Sequence, residues 1–367
     1  MKILHLEASP GWGGQEIRIL REAEGMRKRG HELFLAVARN GGLVAEARKA
    51  GFLVYELSFE KKSWPITLFR LLTIMKRHQI DLVNTHSSLD SWIGGIAARI
   101  RGIPIVRTRH LSTAIKPGWN SRLLYGSLAD FVVTTCASIL PMIANQSKKD
   151  LSLMRSIPTG VDPGRLKCGE EEGKNFRRAL GIADEHFLVG TACFMRSWKG
   201  INDLLQAAHF LRDCASLRWV IIGGGHEAAY RERAKELNLD GIVHFTGHLP
   251  NPIPAIQALD VFALLSTAHE GVSQAILQAA YLKKPLIATA VGGLNEVCLN
   301  NRTGITVEPF APRQVAEAVE ALMNEGARCA ELGKRAHELI LDKFTLEQTL
   351  DGMEDVYNNL KINSGCY

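Results

Sequence analysis

The stretch FLVGTACFMRSWKGINDLLQAAHFLRDCASLRWVIIGGG, residues 187–225, predicts a strand, a helix and a second strand in succession. Its ends, at 187–192 and 219–223, are short apolar runs typical of strands that are buried on both faces. Between them, apolar residues recur at the 3.6-residue spacing of a helix, at Leu204, Ala207, Ala208 and Leu211. Such a succession places the two strands parallel in one sheet, so the stretch predicts an α/β fold.

The same alternation fills most of the 367 residues. Six strands are predicted in the first half, at 2–6, 32–38, 52–57, 81–85, 105–109 and 131–135. Six more are predicted in the second half, at 187–192, 219–223, 242–247, 261–265, 285–289 and 304–307. The first helix is predicted to bury Ile17, Leu20, Ala23 and Met26 and to stop at Gly30. The chain therefore predicts two Rossmann-like domains, each a doubly wound parallel sheet.

Domain boundaries follow from a stretch near 156–175 that is rich in glycine, proline and charge. We predict a first domain at 1–163, a linker at 164–175 and a second domain at 176–344. A last helix within 345–367 could pack on either domain, including back on the first.

The net charge of +6 is unevenly distributed. Residues 1–165 hold 24 Lys and Arg against 13 Asp and Glu, a net charge of +11. The remaining residues hold 20 and 25, a net charge of −5. A basic first domain indicates an anionic partner, such as phospholipid headgroups, a phosphorylated acceptor or nucleic acid, and a chance asymmetry is the alternative.

The sequence also indicates a cellular compartment. Its start, MKILHLEASP, lacks a signal-peptide pattern because His5 and Glu7 interrupt a short apolar run, and no run is typical of a membrane span. The seven cysteines are scattered without a C-x-x-C pair, which favours a reduced cytoplasm over a disulfide framework or a cysteine zinc site. No metal site or serine nucleophile is predicted, because H-E-x-x-H, D-x-D, P-loop and G-x-S-x-G motifs are absent.

Ligands of doubly wound sheets bind outside the carboxyl ends of the strands, so the loops after strands are the candidate sites. In SPGWGGQE, residues 9–16, Gly13 and Gly14 would let backbone N–H groups approach an anion, or would merely allow tight packing. In CFMRSWKG, residues 193–200, Arg196 and Lys199 would suit a diphosphate, with a solvated basic turn as the alternative.

A glycine cluster follows the strand of residues 219–223 and fits the dinucleotide pattern G-x-G-x-x-A at Gly223, Gly225 and Ala228. The next strand ends without the acid that a ribose would need. The cluster therefore argues for packing of a helix against the sheet rather than for a dinucleotide site.

The stretch STAHEGVSQAILQAA, residues 266–280, follows another strand. Its helix is predicted to begin near Val272, with unpaired N–H groups on Val272, Ser273 and Gln274. Glu270 beside them could accept hydrogen bonds from sugar hydroxyls, or could simply cap the helix.

Two histidines, His86 and His110, follow strands of the first domain. His110 is the stronger candidate for a site because it is flanked by cations and precedes a loop that contains glycine and tryptophan. These neighbours are Arg107, Arg109, Lys116 and Trp119.

Several stretches together resemble the retaining family four of glycosyltransferases, whose GT-B fold has two Rossmann-like domains facing a central cleft. The resemblance covers nearly the whole chain, and its most specific parts are 266–280 and 285–309. The other stretches that carry it are 11–16, 29–33, 81–86, 157–162, 196–200, 221–225 and 245–249.

The resemblance implies roles for the matched positions. Glu270 would hold hydroxyls of the donor sugar as the first Glu of an E-x7-E motif, with Gln278 in the second position, at the nucleotide ribose. Arg196 and Lys199 would neutralise the leaving diphosphate in place of a metal, and His110 would lie near the donor sugar. The other donor-binding positions would be Gly13, Gly14, Gly247, His248, Val272, Ser273 and Gln274, and the acceptor-binding positions Arg107, Arg109, Lys116 and Trp119.

The implied reaction moves a sugar from a nucleotide diphosphate sugar to a lipid-linked or lipopolysaccharide-type acceptor, with retention at the anomeric carbon and without a metal or other cofactor. The protein would be cytoplasmic and peripheral on the inner face of the membrane. It would dock there through the basic first domain, near Trp64, Lys61 and Lys62 and at Trp119 in the loop of residues 111–122, and nucleic acid is not an expected partner.

Two other functions stay open. Gln278 in place of a second Glu would suit a non-catalytic or degenerate protein that binds sugar nucleotides, although Glu270, Arg196 and Lys199 argue against it. A nucleotide-sugar epimerase would share the fold, but it would lack this combination of Arg, Lys and Glu.

Overall fold

The computed structural model describes residues 1–364, which form two α/β units, each with its own parallel sheet. The first unit comprises Met1–Pro158 and the helical residues from Glu347 onward, and the second comprises Thr159–Leu346. Within residues 1–364, every pairing between the named strands is parallel. The predicted fold class, two Rossmann-like domains, is confirmed.

The sheet of the first unit has the order β3-β2-β1-β4-β5-β6-β7 among the described residues. Its strands are β1 Lys2–Glu7, β2 Glu32–Ala38, β3 Leu53–Leu57, β4 Leu82–Thr85, β5 Ile105–Arg109, β6 Phe131–Thr134 and β7 Met154–Ser156. Its helices are α1 Gly14–Lys28, α2 Gly42–Lys49, α3 Trp64–His78, α4 Ser88–Arg101, α5 Trp119–Arg122 and α6 Leu140–Ser147.

The sheet of the second unit has the order β10-β9-β8-β11-β12-β13 within the same described range. Its strands are β8 Phe187–Ala192, β9 Leu217–Ile222, β10 Val243–Phe245, β11 Val261–Leu264, β12 Leu286–Thr289 and β13 Gly304–Val307. Its helices are α7 Glu170–Ala179, α8 Ile201–Phe210, α9 Glu227–Glu236, α10 Ile253–Gln257, α11 Gln274–Tyr281, α12 Pro312–Asn324 and α13 Gly326–Lys343.

The central strands are apolar because helices cover both faces of each sheet. In β1, Ile3, Leu4 and Leu6 are fully buried, and in β9 Trp219 is fully buried. All twelve predicted strands are present, and β7, which has three residues, was not predicted. A strand that short carries no periodicity that a sequence could show.

The buried face of α1 differs from the prediction. Ile17 and Leu20 are only partly buried, whereas the charged residues Arg18 and Glu22 are buried. Arg18 donates from Nη1 to the carbonyl oxygen of Ile157 at 2.6 Å. Arg18 also pairs with Glu22 at 3.7 Å, one turn along the same helix. The carbonyl acceptor comes from a distant part of the chain, so local periodicity cannot reveal it.

The predicted linker at 164–175 is wrong, because α7 begins at Glu170 and belongs to the second unit. Gly173 packs so closely on the backbone of Ala258 that an added Cβ would lie 3.2 Å from its nitrogen. Arg177 forms an ion pair with Asp260 at 2.7 Å. The boundary between the units therefore falls earlier, after Pro158.

The last helix, α14 (Leu346–Ser364), packs within the first unit from Glu347 onward. Tyr357 is fully buried there, and its hydroxyl donates to Glu22 Oε1 at 2.6 Å.

The acids of α14 also reduce the difference in net charge between the two units. By the units of the structure, the first carries 24 Lys and Arg against 16 Asp and Glu, net +8, and the second carries 20 against 22, net −2.

Candidate active site

The carboxyl edge of the second sheet brings three loops together. Strand β8 has β9 on one side and β11 on the other, so the order of strands reverses there. Such a reversal opens a crevice in which doubly wound folds bind ligands. The loops that follow β8, β11 and β12 lie at this crevice.

The loops after β8 and β11 are in direct contact. The backbone N–H of Thr267 donates to the carbonyl oxygen of Trp198 at 2.8 Å. Gly200 has a positive φ of 68°, and a Cβ at this position would lie 2.0 Å from the carbonyl oxygen of Leu265. Only glycine fits there, because any side chain would overlap Leu265. This close contact between the loops also fixes the position of the preceding residue, Lys199.

Lys199 and Glu270 form the central contact of the site. The ammonium of Lys199 pairs with Glu270 Oε1, and the hydroxyl of Ser266 donates to the same oxygen at 2.7 Å. Glu270 is only 5% exposed, and its carbonyl oxygen accepts a hydrogen bond from the N–H of Gly293, after β12, at 3.1 Å. The carboxylate is therefore held by Lys199 and Ser266. Ser273, and not Glu270, occupies the N-cap position of α11.

Arg196 lies on the same loop and is exposed. Its guanidinium carbon is 5.2 Å from the ring centroids of both Phe194 and Trp198. Within residues 1–364, no carboxylate pairs with this guanidinium. A planar cation that is near two aromatic rings and has no carboxylate partner in residues 1–364 is available for an anionic ligand.

Helix α11 begins two residues later than predicted, at Gln274. Val272 is buried before the helix, so the prediction that it supplies a helix-start N–H is wrong. The side chain of Gln274 donates to the carbonyl oxygen of Thr159 at 2.9 Å, which occupies its amide. Gln278 is partly buried one turn further along the helix.

The glycines after β9 serve a purpose that the sequence did not indicate. A Cβ at Gly223 would lie 2.0 Å from the carbonyl oxygen of Cys193, and a Cβ at Gly225 would lie 2.5 Å from that of Met195. They admit the backbone of the loop after β8, and the predicted role in helix packing is wrong. Gly247 accepts a hydrogen bond from the N–H of Gly223 at 3.0 Å, and the next residue, His248, is exposed.

In the first unit, Gly13 and Gly14 stand at the start of α1. A Cβ at Gly14 would meet nothing within 4 Å, so packing does not require glycine there. The N–H of Gly13 already donates to Glu16 Oε2 at 2.9 Å. An anion at the start of α1 can therefore be bound by the next N–H groups of the helix, but not by the N–H of Gly13.

His110 is joined to two other histidines at the carboxyl edge of the first sheet. His110 Nε2 lies 3.0 Å from His86 Nδ1, and His86 Nε2 lies 2.9 Å from His5 Nδ1. Burial holds the pKa of His86 and that of His110 well below the usual range, and the cations of Arg18 and Arg107 act in the same direction. The imidazoles are therefore neutral at pH 7.

Sequence reasoning missed His5 and also two acids at the same edge, Glu7 and Asp90. Burial and the nearby Asp90 raise the pKa of Glu7 to about 8. Burial also raises the pKa of Asp90 to about 6, although hydrogen bonds from Ser87 oppose the shift. The available signal was a histidine and a glutamate at alternate positions of an otherwise apolar strand.

The predicted acceptor-binding group divides in two. Arg107 is 2% exposed and donates to the carbonyl oxygen of Ser87 and to the Tyr125 hydroxyl, so its predicted role in binding an acceptor is wrong. Arg109 donates to the same hydroxyl at 2.6 Å and is only partly exposed. In contrast, Lys116 and Trp119 are exposed.

Residues 1–364 contain neither a cluster of metal-binding side chains nor a membrane-spanning helix. No group of three or more His, Cys, Asp or Glu side chains in this range could hold a metal ion. No helix in this range is long and apolar enough to cross a membrane. The six described cysteines are not in disulfides, and Cys366 lies outside the described residues.

Comparison with known families identifies the chain. Residues 12–165 match the family Glycosyltransferase Family 4, and residues 173–339 match the family Glycosyl transferases group 1. The chain belongs to the family 4-like glycosyltransferases. It is a glycosyltransferase of GT-B type, as the sequence motifs predicted.

Two curated relatives of this glycosyltransferase match over nearly its whole length. A D-inositol 3-phosphate glycosyltransferase of Rhodococcus opacus (strain B4) is 26% identical, and the match covers 97% of this chain and 88% of the relative. A UDP-Gal:alpha-D-GlcNAc-diphosphoundecaprenol alpha-1,3-galactosyltransferase of Escherichia coli is also 26% identical, with coverage of 99% and 98%.

A solved structure shares the fold of this glycosyltransferase. The crystal structure of Anabaena Alr3699/HepE in complex with UDP matches with a TM-score of 0.87 and 21% sequence identity. The match covers 98% of this chain and 100% of that chain.

Proposed function

We propose that this glycosyltransferase moves a sugar from a nucleotide diphosphate sugar to a lipid-linked or phosphorylated glycan acceptor, with retention of configuration and without a metal. The observation that carries the proposal is the meeting of Arg196, Lys199 and Glu270 at the carboxyl edge of the second sheet. Two cations and one carboxylate at a strand-order reversal match the charges of a diphosphate and the hydroxyls of a sugar.

The cations take different parts in this proposal. Arg196 has no carboxylate partner within residues 1–364 and lies on the surface, so it meets the diphosphate first. Lys199 is held by Glu270 before any ligand arrives, which fixes its position at little entropic cost when the diphosphate binds. Both charges stabilise the diphosphate as it leaves, when its negative charge increases.

Glu270 binds the sugar of the donor in this proposal. Its Oε1 accepts from Lys199 and from Ser266, and the carboxylate has a second oxygen with lone pairs for sugar hydroxyls. Gln278 keeps an acceptor oxygen at the position where the family has a second Glu, so it can still hydrogen-bond a ribose hydroxyl.

The first experiment measures thermal shifts with nucleoside diphosphates and their sugars, with Mg²⁺ and with EDTA. The Anabaena structure contains UDP, which makes UDP-sugars the first donors to test. We expect stabilisation by one nucleotide, equal in Mg²⁺ and in EDTA and lost in Arg196→Ala. A shift that needs Mg²⁺ contradicts the metal-free proposal, and no shift with any nucleotide contradicts donor binding at this site.

Retention is tested on the product. Proton NMR of the new glycosidic bond gives the anomeric configuration, which we expect to equal that of the donor. An inverted product contradicts this part of the proposal and leaves the transferase function intact.

The acceptor side of the proposal includes an anionic membrane surface. Outside the first sheet, helix α3 exposes Ile66 and Phe69, which are 64% and 72% exposed. The cations beside them on α3 are Arg70, Lys76 and Arg77, and within residues 1–364 none of these has an acidic partner. Apolar side chains among unpaired cations match anionic headgroups over an acyl layer. We call these five residues the α3 face.

This face revises the predicted docking point. Trp64 is only partly exposed, and its indole N–H donates to the carbonyl oxygen of Phe59 at 3.0 Å. Lys62 is paired with Glu60 at 2.7 Å. The α3 face, which begins two residues after Trp64 and extends to Arg77, is the better candidate.

The membrane part is tested by sedimentation with vesicles that contain phosphatidylglycerol, at low salt. Replacing Arg70, Lys76 and Arg77 by Gln removes three charges from the α3 face, and we expect bound protein to fall at least about tenfold. The matched control replaces three exposed lysines elsewhere in the first unit, Lys28, Lys49 and Lys148, by Gln. Equal loss in both variants points to net charge alone and contradicts docking through the α3 face.

A further inference from the structure

Three histidine rings are hydrogen-bonded in series at the carboxyl edge of the first sheet. His5 lies on β1, His86 follows β4 and His110 follows β5, and these three strands are neighbours in the sheet. His5 Nδ1 is 2.9 Å from His86 Nε2, and His86 Nδ1 is 3.0 Å from His110 Nε2. His5 and His86 are buried, whereas His110 is partly exposed. We call these residues the histidine chain.

The protons in the histidine chain depend on one another. A neutral imidazole has one N–H and one lone pair, so each hydrogen bond in the chain has one donor and one acceptor. Since His86 uses both nitrogens, its tautomer fixes the direction of both bonds. Only two arrangements exist: all N–H groups point toward His110, or all point toward His5.

The buried end of the histidine chain distinguishes the two arrangements. His5 Nε2 is buried and has no hydrogen-bond partner within residues 1–364. If the N–H groups point toward His5, that atom carries an N–H without an acceptor. If they point toward His110, the atom keeps only a bare lone pair. Buried N–H groups without an acceptor are the rarer and more costly defect, so the second arrangement is favoured.

At the exposed end, this arrangement leaves the proton of His110 on Nδ1. That nitrogen makes no hydrogen bond within residues 1–364. It is therefore free to donate to a ligand oxygen. Because Nε2 accepts from His86, His110 cannot shift its proton without reversing the tautomer of His86 as well.

We propose that His86 and His5 are positioning residues that fix the tautomer of His110, so that His110 presents Nδ1–H to a hydroxyl oxygen of the bound substrate. This inference rests on the proposed transferase function only for the identity of that hydroxyl. The histidine chain and its proton order are properties of the unliganded protein.

The first test uses the full chain with 15N-labelled histidine. Long-range 1H–15N correlation spectra distinguish protonated from bare ring nitrogens, and the His110→Asn variant identifies the signals of His110. We expect wild-type His110 to carry its proton on Nδ1 at pH 7.5. A proton on Nε2 overturns the proposal without reference to any activity.

The second test breaks the chain at its centre with a matched pair. In His86→Asn the amide lies near the former Nδ1 and can still donate to His110 Nε2, whereas His86→Leu offers no donor. We expect His86→Asn to keep the Nδ1–H tautomer, and His86→Leu to give a mixture of tautomers. An unchanged His110 tautomer in His86→Leu overturns the positioning role. His5→Asn and His5→Leu repeat the comparison one ring away, should a substitution at His86 prevent folding.

Kinetic measurements distinguish the positioning role of the histidine chain from the proposed transferase activity. With a working donor and acceptor, we expect His86→Leu to lower kcat at least about tenfold, with KM for the donor changed by less than about threefold. His86→Asn should stay within about threefold of wild type in kcat. Equal activity of the two variants overturns the catalytic part. If the spectra agree but no donor supports transfer, the histidine chain stands and the proposed function falls.

Discussion

At the residue scale, the pair of Lys199 and Glu270 explains why a carboxylate can be almost fully buried at a surface loop. The side chains are 18% and 7% exposed, so water screens their attraction little. Ser266 adds a hydrogen bond to the oxygen that Lys199 contacts. These contacts connect the loop after β8, which holds Lys199, to the loop after β11, which holds Ser266 and Glu270.

We predict that Lys199→Met destabilises the protein by about 3 kcal/mol, because it leaves Glu270 buried without a counter-charge. The double variant Lys199→Met/Glu270→Gln should recover part of this loss, since the unpaired charge is gone. Urea unfolding measures both free energies. Arg196→Ala is the control, and it should change stability by less than about 0.5 kcal/mol because the guanidinium is exposed. A double variant less stable than Lys199→Met alone contradicts this account.

Glu7 supplies a second residue-scale prediction, because its pKa is raised to about 8 by burial and by Asp90. A carboxyl group with a raised pKa binds a proton more tightly in the folded state than in the unfolded state. Stability is therefore lost as pH rises from the unfolded value of 4.5 to about 8. The histidine chain acts oppositely, because its imidazoles take up protons in the unfolded state as pH falls through 6.5, where each is half protonated.

Between pH 6.5 and 8 the titration of Glu7 overlaps with that of the histidine chain, so the difference in stability between wild type and Glu7→Gln isolates Glu7. We predict that the stability of wild type relative to Glu7→Gln falls there by about 1 kcal/mol per pH unit. Urea midpoints of both proteins at pH 6.5, 7.2 and 8.0 test it, and Glu185→Gln, an exposed carboxyl group in the second unit, is the control. A difference between wild type and Glu7→Gln that stays constant over this range assigns the titration to another group.

At the element scale, the site depends on loops that approach closely at strand ends. Gly200 allows the loop after β8 to touch the end of β11, and Gly293 allows the loop after β12 to touch the loop that holds Glu270. Each glycine stands where a Cβ would overlap a backbone atom of another loop. The three loops therefore form one connected structure.

Gly200→Ala tests this connection against a matched glycine. Gly200 and Gly181 both have a φ of 68°, but a Cβ at Gly181 would meet nothing within 4 Å. We predict that Gly181→Ala costs about 1 kcal/mol for the backbone conformation alone. Gly200→Ala should cost at least about 3 kcal/mol and should weaken nucleotide binding, because Lys199 must move. Equal effects of the two substitutions on unfolding free energy would show that the loops do not need this contact.

The sequence predicted the elements better than the contacts between them. Twelve strands followed from apolar runs, because strands under helices must be apolar on both faces. The positions of Lys199 and Glu270 at strand ends followed from the topology. The ion pair between them depends on residues that are distant in sequence, and so does the close contact of Gly223 with the loop after β8. No local sequence pattern shows such contacts.

At the scale of the whole molecule, α14 completes the first unit with residues from the other end of the chain. The hydroxyl of Tyr357 donates to Glu22 Oε1 at 2.6 Å and accepts from Asn84 Nδ2 at 2.8 Å. Arg29 pairs with Glu347, Asp351 and Glu354 of the same helix. The first 158 residues are thus an incomplete core without α14.

We predict that Tyr357→Phe destabilises the first unit selectively. The substitution removes one hydroxyl and leaves buried polar groups of Glu22 and Asn84 without that partner, at a cost of about 2 kcal/mol. Hydrogen exchange should show faster exchange in α1 and β4, whereas β8 to β13 of the second unit keep their protection. Tyr55→Phe is the matched control, because its hydroxyl bonds only the partly exposed His78 within residues 1–364, and it should cost less. Uniform loss of protection in both units would mean that they unfold together and that α14 stabilises the whole chain.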